Sequence, residues 1–207
     1  MRFVAWPGWR HLRYAALWML LVNVLFVVVY FGTDTITARR AHHLHLFAAP
    51  ELAIPLWAPA IVVYDSLYFL FLLAPFVLRT RDAFRALAWS AAATIVIAGV
   101  CFLLFPAELG FAPPSVDGSF RALFNASDRL NLDYNLVPSL HVALAVLCLL
   151  AFWPAASMVT RVALALWGVS LAASTLLTHQ HHALDVATGA LLAAFVFAMV
   201  RRTIVVH

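Results

Sequence analysis

Two polar segments in an otherwise apolar sequence contain residue types that carry out acid–base or nucleophilic chemistry. In the first, Asp185 follows His181 by four residues, a spacing that places both side chains on one face of a helix. A carboxylate there can accept a hydrogen bond from one imidazole nitrogen, which leaves the other nitrogen free as a nucleophile, a base or a metal ligand. The spacing therefore predicts a functional His–Asp pair, with a polar pair at a membrane surface as the alternative interpretation.

The second segment runs from Pro138 to His141, directly before an apolar run. Ser139 is of a type that caps helix N-termini, and the N–H groups at a helix start favour anions, phosphate included. We therefore expect Ser139 to cap this helix, and the helix start to bind a phosphate group beside His141. A capped helix with an ordinary histidine in its first turn is the alternative.

The composition excludes a soluble globular protein. The 207 residues are 65% hydrophobic and only 11% charged, whereas soluble domains are roughly 25% charged. All thirteen basic residues are scattered arginines, so the sequence has no basic tract of the kind that binds a nucleic acid backbone. Cys101 and Cys148 lie inside apolar runs, which predicts small core residues rather than a disulfide.

Apolar runs between polar breaks predict one domain over residues 1–207, an all-α bundle of six membrane-spanning helices. Pro154 interrupts the fourth run, where it predicts a kink or an early end. The first run follows three arginines, as the apolar part of a signal peptide would. It is longer than such a segment and no clear cleavage site follows, so we interpret it as a retained span. The predicted spans are residues 15–31, 56–78, 86–105, 141–158, 162–178 and 183–200.

The arginines predict the orientation of this bundle. With six spans both termini share a side, and nine arginines on that side against four on the other place the termini in the cytoplasm. The loop 106–138 and the turn 179–182 then share the outer face, so that His141 can meet His181. An all-Arg, Ala-rich chain is typical of a GC-rich bacterial genome, and we expect the bacterial inner membrane. The nine are Arg2, Arg10, Arg13, Arg79, Arg81, Arg85, Arg161, Arg201 and Arg202; the four are Arg39, Arg40, Arg121 and Arg129.

Taken together, the two segments resemble motifs of the type 2 phosphatidic acid phosphatase superfamily, which also contains the sphingolipid head-group synthases. Residues 134–145, YNLVPSLHVALA, are similar to its PSxH motif, and residues 174–189, STLLTHQHHALDVATG, look like its SRxxxxxHxxxD motif. Residues 54–76 have the texture of the second span in its inositol-phosphotransferase-like branch. The order of the motifs and the six-span plan also fit.

The resemblance implies a mechanism. His181 would attack phosphorus to form a phosphohistidine, Asp185 would orient it, and His141 would protonate the leaving alkoxide and later activate the acceptor. The implied partners are a phospholipid or another phosphorylated lipid and an alcohol or water acceptor, within a membrane and without a cofactor, a metal or a nucleic acid. His179 and His182 have no role in that pattern and are interpreted as interfacial polar residues.

Two phosphate-binding cations of the family pattern are missing from this sequence. Ala112 stands where the arginine of an upstream RP pair is expected, and Thr175 follows Ser174 where the third motif has an arginine. A phosphomonoester needs such cations more than a diester does, so their absence favours head-group transfer from a phosphodiester lipid. A phosphatase acting on phosphatidic acid or a prenyl phosphate is the alternative.

We expect the remaining substrate contacts to come from polar residues on the outer face and from one polar residue inside a span. Asp65 lies about nine residues into the second predicted span, where a carboxylate must find a partner or stay protonated. It is interpreted either as lining the substrate cavity or as an interhelical hydrogen-bonding group. The candidate substrate-binding residues are Ser139, Asn135, Asp65, Tyr64, Arg39 and Arg129.

Two hypotheses from other classes compete with phosphotransfer. A metal transporter could use the HHLH run of His42 to His45 together with the HQHH run of residues 179–182, but no row of ligands lies within the spans. An intramembrane serine protease could pair Ser139 with His181, but the serine lacks the glycine-flanked turn that exposes such a nucleophile.

Overall fold

Helices make up the regular secondary structure of this chain. The computed structural model describes residues 3–205 and has no β-strand in that range, only an isolated bridge between Leu44 and Ala107. The predicted all-α class is therefore confirmed. The helices are α1 (Trp9–Thr37), α2 (Ile61–Val77), α3 (Arg81–Leu104), α4 (Arg121–Asp128), α5 (Leu140–Phe152), α6 (Met158–Leu177) and α7 (Ala183–Val205), with 3₁₀ turns at Ala49–Ala53, Ala58–Ala60, Gly118–Phe120 and Trp153–Ala155.

Five helices are long and apolar enough to cross a membrane, which indicates an integral membrane protein. The count of six spans is not confirmed, because the fourth predicted span, residues 141–158, is a shorter apolar helix over Leu140–Ala155. Its last residues form a 3₁₀ turn around Pro154, since proline has no N–H with which to continue an α-helix. The five long helices are α1, α2 with its preceding turn (Ala58–Val77), α3, α6 and α7 (Ala183–Thr203).

Successive long helices run in opposite directions, so the segments 38–60, 105–139 and 178–182 collect at one end of the bundle, called here the loop end. Backbone hydrogen bonds join these segments: Leu44 N–H donates to the Pro106 carbonyl at 2.7 Å, and Trp57 N–H donates to the Leu177 carbonyl at 2.8 Å. Eight of the nine arginines assigned to the cytoplasmic side lie at the opposite end, and the ninth, Arg2, lies outside the described residues.

The short helix α5 forms the centre of the bundle. It packs against α2, α3, α6 and α7, while α1 lies mainly against α3 and exposes many apolar side chains. Ala143, Leu147, Cys148 and Phe152 of α5 have no exposed surface. This burial on every side explains why α5 reads as a continuous apolar run in the sequence, with no polar face.

Hydroxyl side chains cap the helices that begin next to loops. The predicted cap is confirmed at α5, where the Ser139 hydroxyl accepts a hydrogen bond from Val142 N–H at 3.3 Å. Thr80 caps α3 in the same way, and Ser157 caps α6. Each cap satisfies one of the N–H groups that a helix start leaves without an intrahelical partner.

Candidate active site at the loop end

A tight turn after α6 presents the predicted His–Asp pair. The Thr175 carbonyl accepts hydrogen bonds from the N–H groups of Gln180 and His181 at 3.0 and 3.1 Å, and His179 takes a left-handed conformation with φ of 57°. Both features terminate a helix, so the chain leaves α6 and starts α7 within five residues. His181 and Asp185 are consequently held at the junction of two helices.

His181 and Asp185 form the pair that their spacing predicts. His181 Nδ1 lies 3.3 Å from Asp185 Oδ2, and the same oxygen accepts the His182 N–H at 2.8 Å. Asp185 is 1% exposed and His181 is 7% exposed. Because an ionised carboxylate can only accept, the contact selects the tautomer with its proton on Nδ1. His181 Nε2 makes no hydrogen bond to any described residue, so its lone pair is available for chemistry.

The two sequence segments meet through their backbones. Ser139 N–H donates to the Asp185 carbonyl at 3.0 Å. One turn further along α7, a Cβ on Gly189 would overlap the Ser139 carbonyl oxygen, so only glycine permits this approach. The contact places the start of α5, which carries His141 two residues after Ser139, beside the start of α7. The predicted convergence of the two segments at one end of the bundle is therefore observed.

Tyr64 on α2 holds the ring of His141. His141 Nε2 donates to the Tyr64 carbonyl at 2.7 Å, and the two rings stack with centroids 3.8 Å apart. The Tyr64 hydroxyl donates in turn to Asn131 Oδ1 at 2.8 Å, which fixes the tyrosine. Tyr68, one turn further along α2, meets the His141 ring edge-on at 6.2 Å. Tyr64, a candidate substrate-binding residue in the sequence, thus lies where it orients His141.

Asp65 lies near the loop end of α2. The second span was predicted to start at residue 56, but α2 begins at Ile61 after a 3₁₀ turn containing Pro59. Asp65 therefore falls in the second turn of α2, where its Oδ2 accepts the Ser127 hydroxyl of α4 at 2.6 Å. Its Oδ1 is buried and has no hydrogen-bond partner among the described residues.

The other candidate substrate-binding residues have different surroundings. Asn135 is 1% exposed; its amide donates to the Tyr30 carbonyl and its Oδ1 accepts the Thr33 hydroxyl at 3.2 Å, which holds the loop against α1. Arg39 and Arg129 are exposed, and within the described chain neither forms a side-chain hydrogen bond or an ion pair. The structure thus brings neither arginine into polar contact with the two histidines.

The HHLH run takes part in packing. His43 stacks on Tyr134 with centroids 4.0 Å apart, and His45 bonds Glu108 at 2.6 Å. No group of three or more His, Cys, Asp or Glu side chains in residues 3–205 could hold a metal ion. The geometry of this part of the chain therefore adds nothing to the metal-transporter hypothesis.

A column of rings joins the loops over the His181 turn. His182 stacks between Phe47 and Phe111, with both centroid distances 4.6 Å, and His179 stacks on the other side of Phe111 at 4.0 Å. His179 Nε2 also donates to the Ile54 carbonyl at 2.9 Å. These two histidines, interpreted from the sequence as interfacial polar residues, instead fasten the turn to the loops on either side.

Glu51 is a residue of this site that sequence reasoning missed. Its Oε2 accepts the Ala183 N–H at 2.8 Å and faces His182 Nδ1 at 3.2 Å, although it lies more than 130 positions away in the sequence. Burial opposes ionisation of Glu51, but the N–H groups of Ala183 and Ala48 and the His182 ring outweigh it and lower the pKa of the carboxyl. No motif contains Glu51, so no signal in the sequence singled it out.

Comparison with known protein families identifies the family of this chain. The family model of the PAP2 superfamily matches residues 36–199. The chain therefore belongs to the PAP2 superfamily, and the membership implies a membrane-bound phosphatase or phosphotransferase. No curated protein matches the chain in a sequence search.

Gly189→Ala tests the close approach of α7 to α5. We expect a loss of about 1–3 kcal/mol in unfolding free energy, because the added methyl group overlaps the Ser139 carbonyl. Thermal unfolding in detergent measures it, with Gly32→Ala on α1 as the matched control, since a Cβ there meets nothing within 4 Å. A Gly189→Ala protein as stable as the Gly32→Ala protein would contradict the contact.

His181→Ala and Asp185→Asn test the pair. We expect His181→Ala to abolish turnover of whichever phosphorylated lipid the wild-type protein accepts. Asp185→Asn should lower kcat by roughly 100-fold or more, because an amide no longer selects the required tautomer. His42→Ala, an exposed histidine of the first loop, is the control and should retain its activity. Near-normal turnover by the His181→Ala protein would show that His181 is not the nucleophile.

Proposed function

We propose that this protein is a lipid phosphotransferase that forms a phosphohistidine on His181 and transfers a phosphorylated head group from a phosphodiester lipid to an alcohol or to water. The observation that carries this proposal is the free Nε2 of His181, held by a buried carboxylate next to the start of α5. That arrangement is typical of an activated nitrogen nucleophile.

The reaction would proceed in two displacements at phosphorus. His181 Nε2 bonds to phosphorus as the bond to the lipid alkoxide breaks, and His141 gives that alkoxide a proton. His141 then takes a proton from the acceptor hydroxyl, whose oxygen bonds to phosphorus while the P–N bond breaks and His181 is regenerated. Since His141 Nε2–H is bound to the Tyr64 carbonyl, the transferred proton is the one on Nδ1, and the cycle starts with both ring nitrogens of His141 protonated.

The helix starts at this site support an anionic substrate. The N-termini of α5 and α7 meet at the hydrogen bond between Ser139 and Asp185, so both helix dipoles have their positive ends there. Ser139 itself is fully buried and its hydroxyl is engaged in the cap, so we assign it to holding the start of α5. A phosphate beside His141 and His181 would face these two helix ends.

An apolar cleft supports a lipid as the substrate. A cavity of about 110 Å³ lies between α1, α2, α3 and α5, and it begins at Tyr68, whose ring meets that of His141. It extends to Trp18 and Phe84 toward the opposite end of the bundle. Along α1 its lining covers about 12 Å, from the helical rise between Trp18 and Phe26. A hydrocarbon chain attached to a phosphate at His141 would lie in this cleft.

The charges at the loop end support a phosphodiester over a monoester. Eight of the nine acidic residues, all except Asp82, lie at this end, against four arginines. Ala112 supplies no cation, and Thr175 is buried with its hydroxyl bonded to the Ala172 carbonyl at 2.8 Å. Near neutral pH a monoester approaches two negative charges and a diester carries one, so the diester needs less compensation here.

A matched lipid panel tests the proposed reaction. Purified protein receives phosphatidic acid, a prenyl phosphate and a set of phosphodiester lipids with the same acyl chains, with alcohol acceptors present, and the products are resolved by mass. We expect at least one diester to react about 10-fold faster than any monoester. Faster turnover of a monoester that also requires Arg39 or Arg129 would establish the phosphatase instead. No turnover of any lipid would reject the lipid assignment.

We also propose that the loop end faces outward, because in the described part of the chain the opposite end holds eight arginines and the loop end four. In a variant without native cysteines, Asp117→Cys should react with an impermeant maleimide in intact cells. Asp82→Cys, at the opposite end, should react only after permeabilisation. Both aspartates are well exposed, with 92% and 74% of their side chains accessible, so reactivity depends on the side of the membrane. The reverse labelling pattern would place the site in the cytoplasm.

A further inference from the structure

Glu51 lies in the first loop, residues 38–60, and its side chain reaches the start of α7. Its Oε1 accepts Ala48 N–H at 3.0 Å, which fixes the carboxylate on its own 3₁₀ turn. Its Oε2 accepts Ala183 N–H, the first helical N–H of α7, and faces the His182 ring. Only 15% of the Glu51 side chain is exposed. The carboxylate is therefore a fixed acceptor for a helix start two residues after His181.

The His182 ring extends this contact to the second loop. Its Nδ1 donates to Glu51, and its Nε2 accepts Gly110 N–H at 3.1 Å. Only a neutral ring satisfies both bonds, and burial lowers the pKa of His182 in keeping with that form. A Cβ on Gly110 would overlap the Phe47 ring, so the loop also packs tightly against the ring column. Glu51 and His182 thereby link the loop 38–60, the loop 105–139 and the start of α7.

The first turn of α7 has more N–H donors than its own side chains satisfy. Asp185 occupies the third helical position, from which an acidic side chain reaches back to the cap residue's N–H, as it does here to His182. The same Asp185 oxygen also holds His181, at the longer distance of 3.3 Å. Asp185 is the acidic residue of this first turn, so if Ala183 N–H lost Glu51, the bond from Asp185 to His181 would compete with a second backbone donor.

We propose that Glu51 is a positioning residue for His181: by accepting Ala183 N–H, it leaves the Asp185 carboxylate free to hold the His181 ring. The inference rests on the proposed phosphotransfer, in which His181 is the nucleophile. Glu51 bonds neither His181 nor His141, so its effect is transmitted through Asp185 and the turn. The first loop, which lies outside both sequence motifs, is on this account part of the catalytic apparatus.

Glu51→Gln in the full-length protein tests the proposal, because the amide keeps the size of the side chain but has a single acceptor oxygen, which cannot serve Ala48 N–H and Ala183 N–H as the two carboxylate oxygens do. We expect kcat to fall about 10-fold or more, as for other changes to the partner of a functional histidine, with KM changed by less than about 2-fold. Glu108→Gln is the matched control. Glu108 joins the same loops by bonding His45, but it makes no bond to α7. The kcat of the Glu108→Gln protein should stay within about 2-fold of the wild-type value.

A spectroscopic measurement separates this inference from the proposed function. In ¹⁵N-histidine-labelled protein in detergent, His181 should be protonated on Nδ1 in the wild type, and the other tautomer should increase in Glu51→Gln. The resonance is assigned by its loss in His181→Ala. An unchanged His181 tautomer and kcat in a folded Glu51→Gln protein would overturn the positioning role, even if the wild type turns over lipid. No turnover by the wild type would reject the proposed function. The His181 tautomer in Glu51→Gln would still show whether Glu51 positions His181.

Glu51→Asp covers the case in which Glu51→Gln does not yield folded protein. It keeps the charge but withdraws the carboxylate by one methylene group, so the bond to Ala183 should lengthen. We expect the same changes in kcat and in the His181 tautomer, to a smaller extent. A folded Glu51→Asp protein with wild-type kcat and tautomer would also contradict the proposal.

Discussion

Asp185 connects the His181 turn, the first turn of α7 and the start of α5. Its carboxylate accepts both the His181 ring and the His182 N–H, and its carbonyl accepts the Ser139 N–H. A carboxylate that is 1% exposed is costly to bury unless such partners compensate it. One residue thereby sets the tautomer of a histidine, the first turn of α7 and the distance from α7 to α5. The absence of a side chain at Gly189 allows α7 to approach α5 this closely.

Because α5 is central and short, the candidate active site lies below the loops. α5 is shorter than the helices around it, and its cap residue Ser139 is fully buried. The loop segments therefore form a cover over the N-termini of α5 and α7, held by the stacked rings of Phe47, His182 and Phe111. Exclusion of water strengthens the electrostatic interactions of a phosphate with these helix ends. The apolar cleft between α1, α2, α3 and α5 is lined in part by Tyr68, whose ring meets that of His141.

The features that could be predicted from the sequence are those set by local spacing. A spacing of four positions predicted the contact between His181 and Asp185, although α7 begins only at Ala183, and a serine before an apolar run predicted a cap. The exact start of α2 was not predictable, because the apolar run from residue 56 includes a 3₁₀ turn before the α-helix begins at Ile61. Glu51 and the stacking of Tyr64 on His141 depend on contacts between distant segments, which no periodicity encodes. The match to the PAP2 superfamily spans residues 36–199 and so includes both motifs and Glu51.

The most direct test of the account is to identify the covalent intermediate. Wild-type protein is quenched with denaturant at alkaline pH during turnover of its preferred lipid, digested, and sequenced by mass spectrometry. The account predicts phosphate or a phosphorylated head group on the peptide containing His181, attached to the imidazole and lost in acid. A phosphoryl group on Ser139 or on another histidine, or rapid turnover with no modified peptide, would contradict it.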